Sequence, residues 1–395
     1  MRANAATRVA HDMTQPARNR RVAFLMSTAS WGGIERWMVN LANEFVRSGI
    51  SVDLVLVRNG VVPFPNELSK DVRIVDFSGR GAVSSLLSLS RYFRGLPGQP
   101  VLASKYHDAV AADRANRLAG SRIRLFWVVH SAFRSSRKTR RWFRAVKRRF
   151  RRANSLIPVS QGGADHLINT FGLARETVHS IPNPVFGADV RPRCEKAVDH
   201  DWLLPENRNS TPVVLGAGRL VKAKDFATLI RAAALLLERR PCRLLILGEG
   251  PLRTDLEELT AALGLQEYVQ LPGWVDDPMP YMARADLFVL SSQNEGLGNV
   301  LIEAMAAGCP VVSTDCPSGP REILEGGRLG PLVPAEDPKK LANAMGDTLD
   351  RGADTKALRA AAERFSSAHV AKLYMEVLGL RPENENRDET GNGNQ

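Results

Sequence analysis

The chain has 395 residues, of which 44% are hydrophobic and 24% charged, and its formal net charge is +12. This is the composition of an ordinary globular protein of two or three domains, and no stretch approaches the roughly 18 apolar residues of a membrane span. The cysteines Cys194, Cys242, Cys309 and Cys316 form no C-x-x-C pair and have no histidine at zinc spacing, so they are expected to be reduced, small apolar residues. The charge is uneven: residues 1–190 hold 30 Lys/Arg against 12 Asp/Glu, and residues 191–395 hold 24 against 30. The first half therefore expects an anionic partner.

In chain order, residues 1–20 are polar and Arg-bearing, without the apolar core of a secretory signal, and read as a flexible arm. A first domain is expected over 21–190. "RRVAFLMSTAS" (20–30) is a buried strand, followed by the glycine turn "WGGIE" (31–35). A helix comes next, with Trp37, Leu41 and Phe45 on one face, then the strand "SVDLVLV" (51–57). This βαβ succession implies a parallel sheet with helices on its faces. "VRIVDF" (72–77), "RLFWVVH" (124–130) and "SLIPVS" (155–160) are further strands, and "SKYHDAVAADRAN" (104–116) reads as a specificity loop. A Pro-, Asn- and charge-rich linker is expected at 191–208. The alternation restarts over 209–365 with "TPVVLGAGRL" (211–220), "CRLLILGEG" (242–250), "YVQLPGW" (268–274), "DLFVLSS" (286–292) and "PVVSTD" (310–315) as strands. One amphipathic helix (366–380) and a polar tail (381–395), expected to be disordered, complete the chain. The fold class is α/β: two Rossmann-like, doubly wound domains facing each other across a cleft, with ligands at the carboxyl ends of the strands.

The strand-end turns carry the chemistry. Glu295 lies in the glycine-bearing turn after "DLFVLSS", and Glu303 just past the first turn of a helix starting near Asn299. Both carboxylates are expected to face the cleft, beside backbone N–H groups of Gly298, Asn299 and Val300 that could hold a diphosphate. Carboxylates beside an anion site are useful as acceptors for ribose and sugar hydroxyls. Arg219 and Lys224 flank the turn after 211–220 and could neutralise a leaving diphosphate, the job a metal does elsewhere. The glycine turns "WGGIE" and "LGEGPLR" (247–253) would let a ligand approach the backbone. His130, ending its strand, is expected to touch the ligand. No metal is expected: the D-x-D at Asp199, His200 and Asp201 lies outside any strand end. A nicotinamide fingerprint is also missing. Residues 134–154 hold eleven Lys/Arg and no acid, with Trp142, Val146 and Phe150 recurring every four residues. That is a basic amphipathic helix whose stripe is either core or membrane-dipping. Anionic phospholipid heads are the first expected partner and nucleic acid the second.

Taken together, "GGIE" (32–35), "IPNPV" (181–185), "GRLVKAKDF" (218–226), "GEGP" (248–251), "LPGWVDD" (271–277) and the E-x7-E of Glu295 and Glu303 resemble the retaining glycosyltransferases of family 4, group 1, with the GT-B fold. The resemblance runs from about Arg21 to about Leu380. It implies that Glu303 binds the ribose of a nucleotide-sugar, that Arg219 and Lys224 hold its diphosphate, and that Glu295 with Gly296, Leu297, Gly298 and Asn299 holds the donor sugar and phosphates. Gly33 would approach the phosphates and His130 the sugar, with the segment at Trp274 and Val275 on the base. Gly218, Gly248 and Glu249 would complete the donor site. Glu295, His130, Arg219 and Lys224 would be the catalytic set, without a metal or other cofactor. Leu297 departs from the aromatic residue of many relatives. The resemblance further implies a UDP-hexose or UDP-N-acetylhexosamine donor and a lipid-linked, lipopolysaccharide or other envelope-glycan acceptor. The enzyme would sit on the cytoplasmic face of an anionic membrane through Arg140, Arg141, Trp142, Arg148, Arg149 and Arg152, and nucleic acid would not be its partner. A nucleotide-sugar 2-epimerase on the same fold and a basic nucleic-acid-binding module are the rival readings.

Overall fold

The computed structural model describes residues 20–26, 32–57, 60–77, 82–130, 140–204 and 211–380, without the side chains of 82–84 and 140–143. The expected arm and tail fall outside it, apart from Arg20. The first half runs β1 (Arg21–Met26), α1 (Gly33–Arg47), β2 (Ser51–Leu56), β3 (Arg73–Asp76), α2 (Ala82–Arg94), β4 (Pro100–Ala103), α3 (Tyr106–Ala119), β5 (Arg124–Val129), α4 (Arg140–Phe150), β6 (Ser155–Pro158) and α5 (Gln161–Phe171). The second runs α6 (Val190–Glu195), β7 (Val213–Ala217), α7 (Phe226–Leu237), β8 (Arg243–Leu247), α8 (Arg253–Ala262), β9 (Val269–Gly273), α9 (Met279–Met282), β10 (Leu287–Leu290), α10 (Asn299–Ala307), β11 (Val311–Thr314), α11 (Pro320–Ile323), β12 (Leu332–Val333), α12 (Pro338–Arg351), α13 (Thr355–Ala362) and α14 (Ser367–Leu378).

Two six-stranded sheets result, ordered β3-β2-β1-β4-β5-β6 and β12-β11-β10-β7-β8-β9, with every pairing parallel. Central strands such as "RVAFLM" and "VVLGA" are buried almost throughout, as strands covered by helices on both faces must be. Each sheet reverses its strand order once, between β1 and β4 and between β10 and β7. Those reversals open crevices at the strand ends, where α/β sheets take ligands.

The span 104–116, read as a loop, is instead the start of α3, whose buried Ala109, Ala112 and Ala115 recur every three residues. Alanine is too weakly apolar for that stripe to stand out in the sequence. Of the span 191–208, read as a linker, the described residues 191–204 are folded onto the second half. Arg193 of α6 makes a two-pronged ion pair with Asp277, at 3.0 and 2.8 Å, and Arg284 donates to the Cys194 carbonyl.

The chain crosses between the halves twice. Val185 N–H donates to the Phe365 carbonyl at 2.9 Å and Ser367 N–H to the Phe186 carbonyl at 2.7 Å. Helix α14 therefore returns to the first half, where Tyr374 packs 6.0 Å from the ring of Trp37. Trp37 itself lies edge-on to Phe24 of β1. One continuous apolar core thus runs from β1 and α1 to α10 and α14. Two polar contacts reinforce the join: Asn40 Nδ2 donates to the Pro184 carbonyl, and the Glu322 carboxylate accepts from Gln161 N–H at the amino end of α5. Among the described residues no helix is long and apolar enough to cross a membrane.

Candidate active site

The second sheet's crevice is built by the turns after β7 and β10. The turn after β7 runs through Gly218 and Arg219 to Lys224, then Asp225 in the left-handed region (φ 49°), whose side chain caps α7 through Thr228. The turn after β10 is laced to it: Ser291 Oγ donates to the Lys224 carbonyl and Gln293 N–H to the Ala223 carbonyl. Lys224 Nζ lies 2.6 Å from Glu295 Oε1, which also accepts from Ser292 Oγ at 2.7 Å. Lys224 and Glu295 thus form a largely buried, mutually neutralised pair. The Arg219 side chain is exposed and makes no ion pair or hydrogen bond among the described residues, so its charge is uncompensated.

Helix α10 begins at Asn299 after Gly298 at φ 107°, and no side chain caps this end. Its first N–H groups therefore face the crevice with the positive end of the helix dipole. Helix α1 also begins without a side-chain cap, and a Cβ on Gly33 would stand 3.6 Å from Asn299 Nδ2. The two amino ends, one from each half, are apposed. Glu303 sits one turn into α10, partly buried, without a hydrogen-bond partner among the described residues. Loss of hydration pushes its pKa up to about 7, against the pull of Arg193 and with a further push from Asp277; Arg36 of α1 pulls it down from across the crevice. The two glutamates therefore do different work. Glu295 is an ion-paired anchor, whereas Glu303 is an unpaired carboxyl poised near neutrality.

At the first sheet's strand ends, His130 follows β5 with its ring 5.1 Å from Trp37, edge to face. Burial lowers its pKa to about 4, so the ring is neutral at pH 7; Asn183 and Glu35 act on it in the opposite direction. Glu35 is itself held by Lys105 at 2.7 Å. Asn183, in the crossover segment, donates to Asn299 Oδ1 at 2.9 Å.

Several expected site residues prove to have other surroundings. Gly248 is needed for packing: a Cβ there would fall 2.0 Å from the Gly218 carbonyl, and one on Gly250 2.4 Å from the Leu220 carbonyl. These glycines let two strand-end turns touch each other. Glu249 is exposed at the rim and paired with Arg253. The Leu297 side chain is buried in the core, and its carbonyl would meet a Cβ on Gly319 at 1.8 Å. Leu297 can serve a ligand only through its backbone. Val275 is half-buried against the core beside Trp274, which is 60% exposed. The basic helix lies at α4. Val146 and Phe150 are core residues, Phe150 packing 4.7 Å from Trp127 and 5.0 Å from Phe171. The lower stripe is therefore not free to dip into lipid. Arg149 donates to the Tyr106 hydroxyl and Arg152 pairs with Asp113, whereas Arg148 is exposed. The side chains of Arg140, Arg141 and Trp142 lie outside the described residues. Sequence reasoning missed Arg193, Arg36 and Asn183, whose partners are remote in the chain, and Ser292, whose partner Glu295 is three residues away. Only Asn183 lay in a recognised motif. Among the described residues no group of three or more His, Cys, Asp or Glu could hold a metal ion.

Residues 31–186 match the family model described as Glycosyltransferase Family 4, and residues 211–351 the one described as Glycosyl transferases group 1. The chain is 32% identical over 231 residues to a Campylobacter jejuni N-acetylgalactosaminyltransferase acting on a diphospho-undecaprenol-linked sugar, covering 58% of this chain and 60% of that one. It is 37% identical over 179 residues to the Rhizobium meliloti lipopolysaccharide core biosynthesis glycosyltransferase LpsE, covering 43% and 51%. The chain thus spans between half and two thirds of these relatives. Anabaena HepE, solved in complex with UDP, superposes with a TM-score of 0.78 at 21% identity, covering 91% of this chain and 99% of that one. At that identity the likeness is one of fold, the two-domain GT-B architecture.

Proposed function

The chain belongs to the group 1 glycosyltransferases of family 4, and from that premise we propose that it transfers a sugar from a nucleotide diphosphate, UDP in the first instance, to a lipid-linked or envelope-glycan acceptor. One observation carries the reading: the uncapped start of α10, the uncompensated Arg219 and the unpartnered Glu303 converge on the crevice of the second sheet. A cation and free N–H groups suit the diphosphate, and a carboxylate without a partner suits ribose hydroxyls. The UDP bound to HepE and the acceptors named for the two relatives support the choice of substrates.

The sugar is a hexose or N-acetylhexosamine, and transfer retains its configuration. The leaving diphosphate oxygen takes the acceptor proton as the C–O bond to the donor breaks and the bond to the acceptor oxygen forms. The pairing of Glu35 with Lys105 and of Glu295 with Lys224 supports this, because neither carboxylate stands free as a base or nucleophile. Arg219 and the α10 amino end supply the positive potential, so no metal is required. His130 contacts the sugar from the first half, Val275 and Trp274 border the base, and Glu249 with Gly248 shapes the rim.

A thermal-shift screen against UDP, GDP, ADP and their sugars, without metal, tests the donor site. One nucleotide and its sugar are expected to raise the melting temperature; no rise with any would overturn the assignment. Incubation with donor alone excludes the epimerase, since a transferase leaves the sugar unepimerised.

The enzyme works on the cytoplasmic face of an anionic membrane, which the cationic α4 supports. Reversing Arg140, Arg141 and Arg148 together is expected to abolish sedimentation with anionic vesicles at about 1 kcal/mol per charge. Turnover on a soluble acceptor analogue should persist. Equal vesicle binding by the variant would remove the membrane claim.

A further inference from the structure

Asn183 lies in the crossover segment, 6% exposed, between the two halves of the site. Its Nδ2 is used on Asn299 Oδ1 at 2.9 Å, at the first position of α10. Its Oδ1 is buried and has no hydrogen-bond partner in that geometry, and neither has the buried Nε2 of His130. The two side chains are near enough for the amide to act on the imidazole. One is an acceptor lacking a donor. The other is a ring nitrogen that becomes a donor when it carries the proton. Leaving both unpaired in the interior is unfavourable, because each has given up its hydrogen bonds to water. A small rotation that lets Nε2–H donate to Asn183 Oδ1 satisfies both.

We propose that Asn183 is a positioning residue: it holds neutral His130 as the Nε2-protonated tautomer and ties that ring to Asn299 at the amino end of α10. Nδ1 of the half-buried imidazole is then left as an acceptor only. It takes a hydrogen bond from a donor-sugar hydroxyl. The arrangement links sugar recognition in the first half to diphosphate binding in the second through one amide. The sugar contact rests on the glycosyltransferase reading, but the tautomer does not.

The test uses the full chain labelled with 15N-histidine. Wild type is expected to show His130 as the Nε2–H tautomer without substrate. Asn183→Leu should mix or invert the tautomers, and Asn183→Asp, which keeps an acceptor for Nε2–H, should preserve the wild-type form. In turnover, Asn183→Leu should lower kcat roughly 10- to 100-fold. Asn183→Asp should recover part of the rate. An Nδ1–H tautomer in wild type overturns the proposal. So does a wild-type rate or an unchanged tautomer in folded Asn183→Leu. If Asn183→Leu does not fold, the wild-type and Asn183→Asp spectra decide. If the chain transfers no sugar, the spectra still decide the tautomer, and the two failures remain distinct.

Discussion

Replacing Arg219 by alanine is expected to lower kcat/KM for the donor by roughly 10²- to 10³-fold while leaving the unfolding transition where it is. The reason lies in how the crevice distributes charge. Lys224 and Glu295 lie 2.6 Å apart and largely buried, so the pair presents little net charge to an incoming diphosphate. Arg219 is exposed and has no partner among the described residues, so nothing in the fold depends on it. Its guanidinium is available for two-pronged contact with phosphate oxygens, and charge accumulates on those oxygens as the sugar leaves. Lys224→Met should behave differently. It strands Glu295 with Ser292 as its remaining partner in a poorly hydrated site, so stability and activity should fall together. Urea unfolding alongside nucleotide titration separates the two cases. An Arg219→Ala enzyme that retains donor affinity and rate would show that the diphosphate lies elsewhere.

Glu303→Ala is expected to weaken nucleotide binding by roughly 10- to 100-fold, the worth of one or two hydrogen bonds to a charged acceptor. The same carboxyl predicts a pH signature. Its pKa in the unliganded fold is raised to about 7. Only the ionised form accepts from both ribose hydroxyls. Affinity should therefore rise as pH increases from 6 to 8 and level off above the pKa, with up to about tenfold loss per unit below it. Stability runs the other way. A carboxyl with a raised folded pKa favours the folded state least when ionised, so Glu303 lowers stability increasingly as pH rises from about 4.5 to about 7 and stays unfavourable above. Glu303→Gln should flatten the binding profile between pH 6 and 8 and raise the pH 8 melting temperature. Calorimetry at three pH values reads the binding, and a melt at pH 8 reads the stability. A Glu303→Gln enzyme with the wild-type pH profile would assign the titration to another group.

The sequence by itself determined what is local. Apolar runs set ten of the twelve strands, because a strand must follow its own burial pattern; the short β4 and β12, of four and two residues, were too brief to stand out. The glycine at 298 and the spacing from Glu295 to Glu303 placed the start of α10 at Asn299, because helix ends are decided by a few consecutive backbone angles. The ordered motifs also carried the family resemblance. The tertiary structure alone decided which charges meet. Glu295 meets Lys224, 71 residues away. Gly248 meets the Gly218 backbone. Helix α14 could have capped the second half, but Tyr374 buried itself against Trp37 of the first. Asn183 gained its place between His130 and Asn299 in the same way. These outcomes depend on distances between segments remote in the chain, closed by burial of a shared core, and spacing along the sequence carries no such distance.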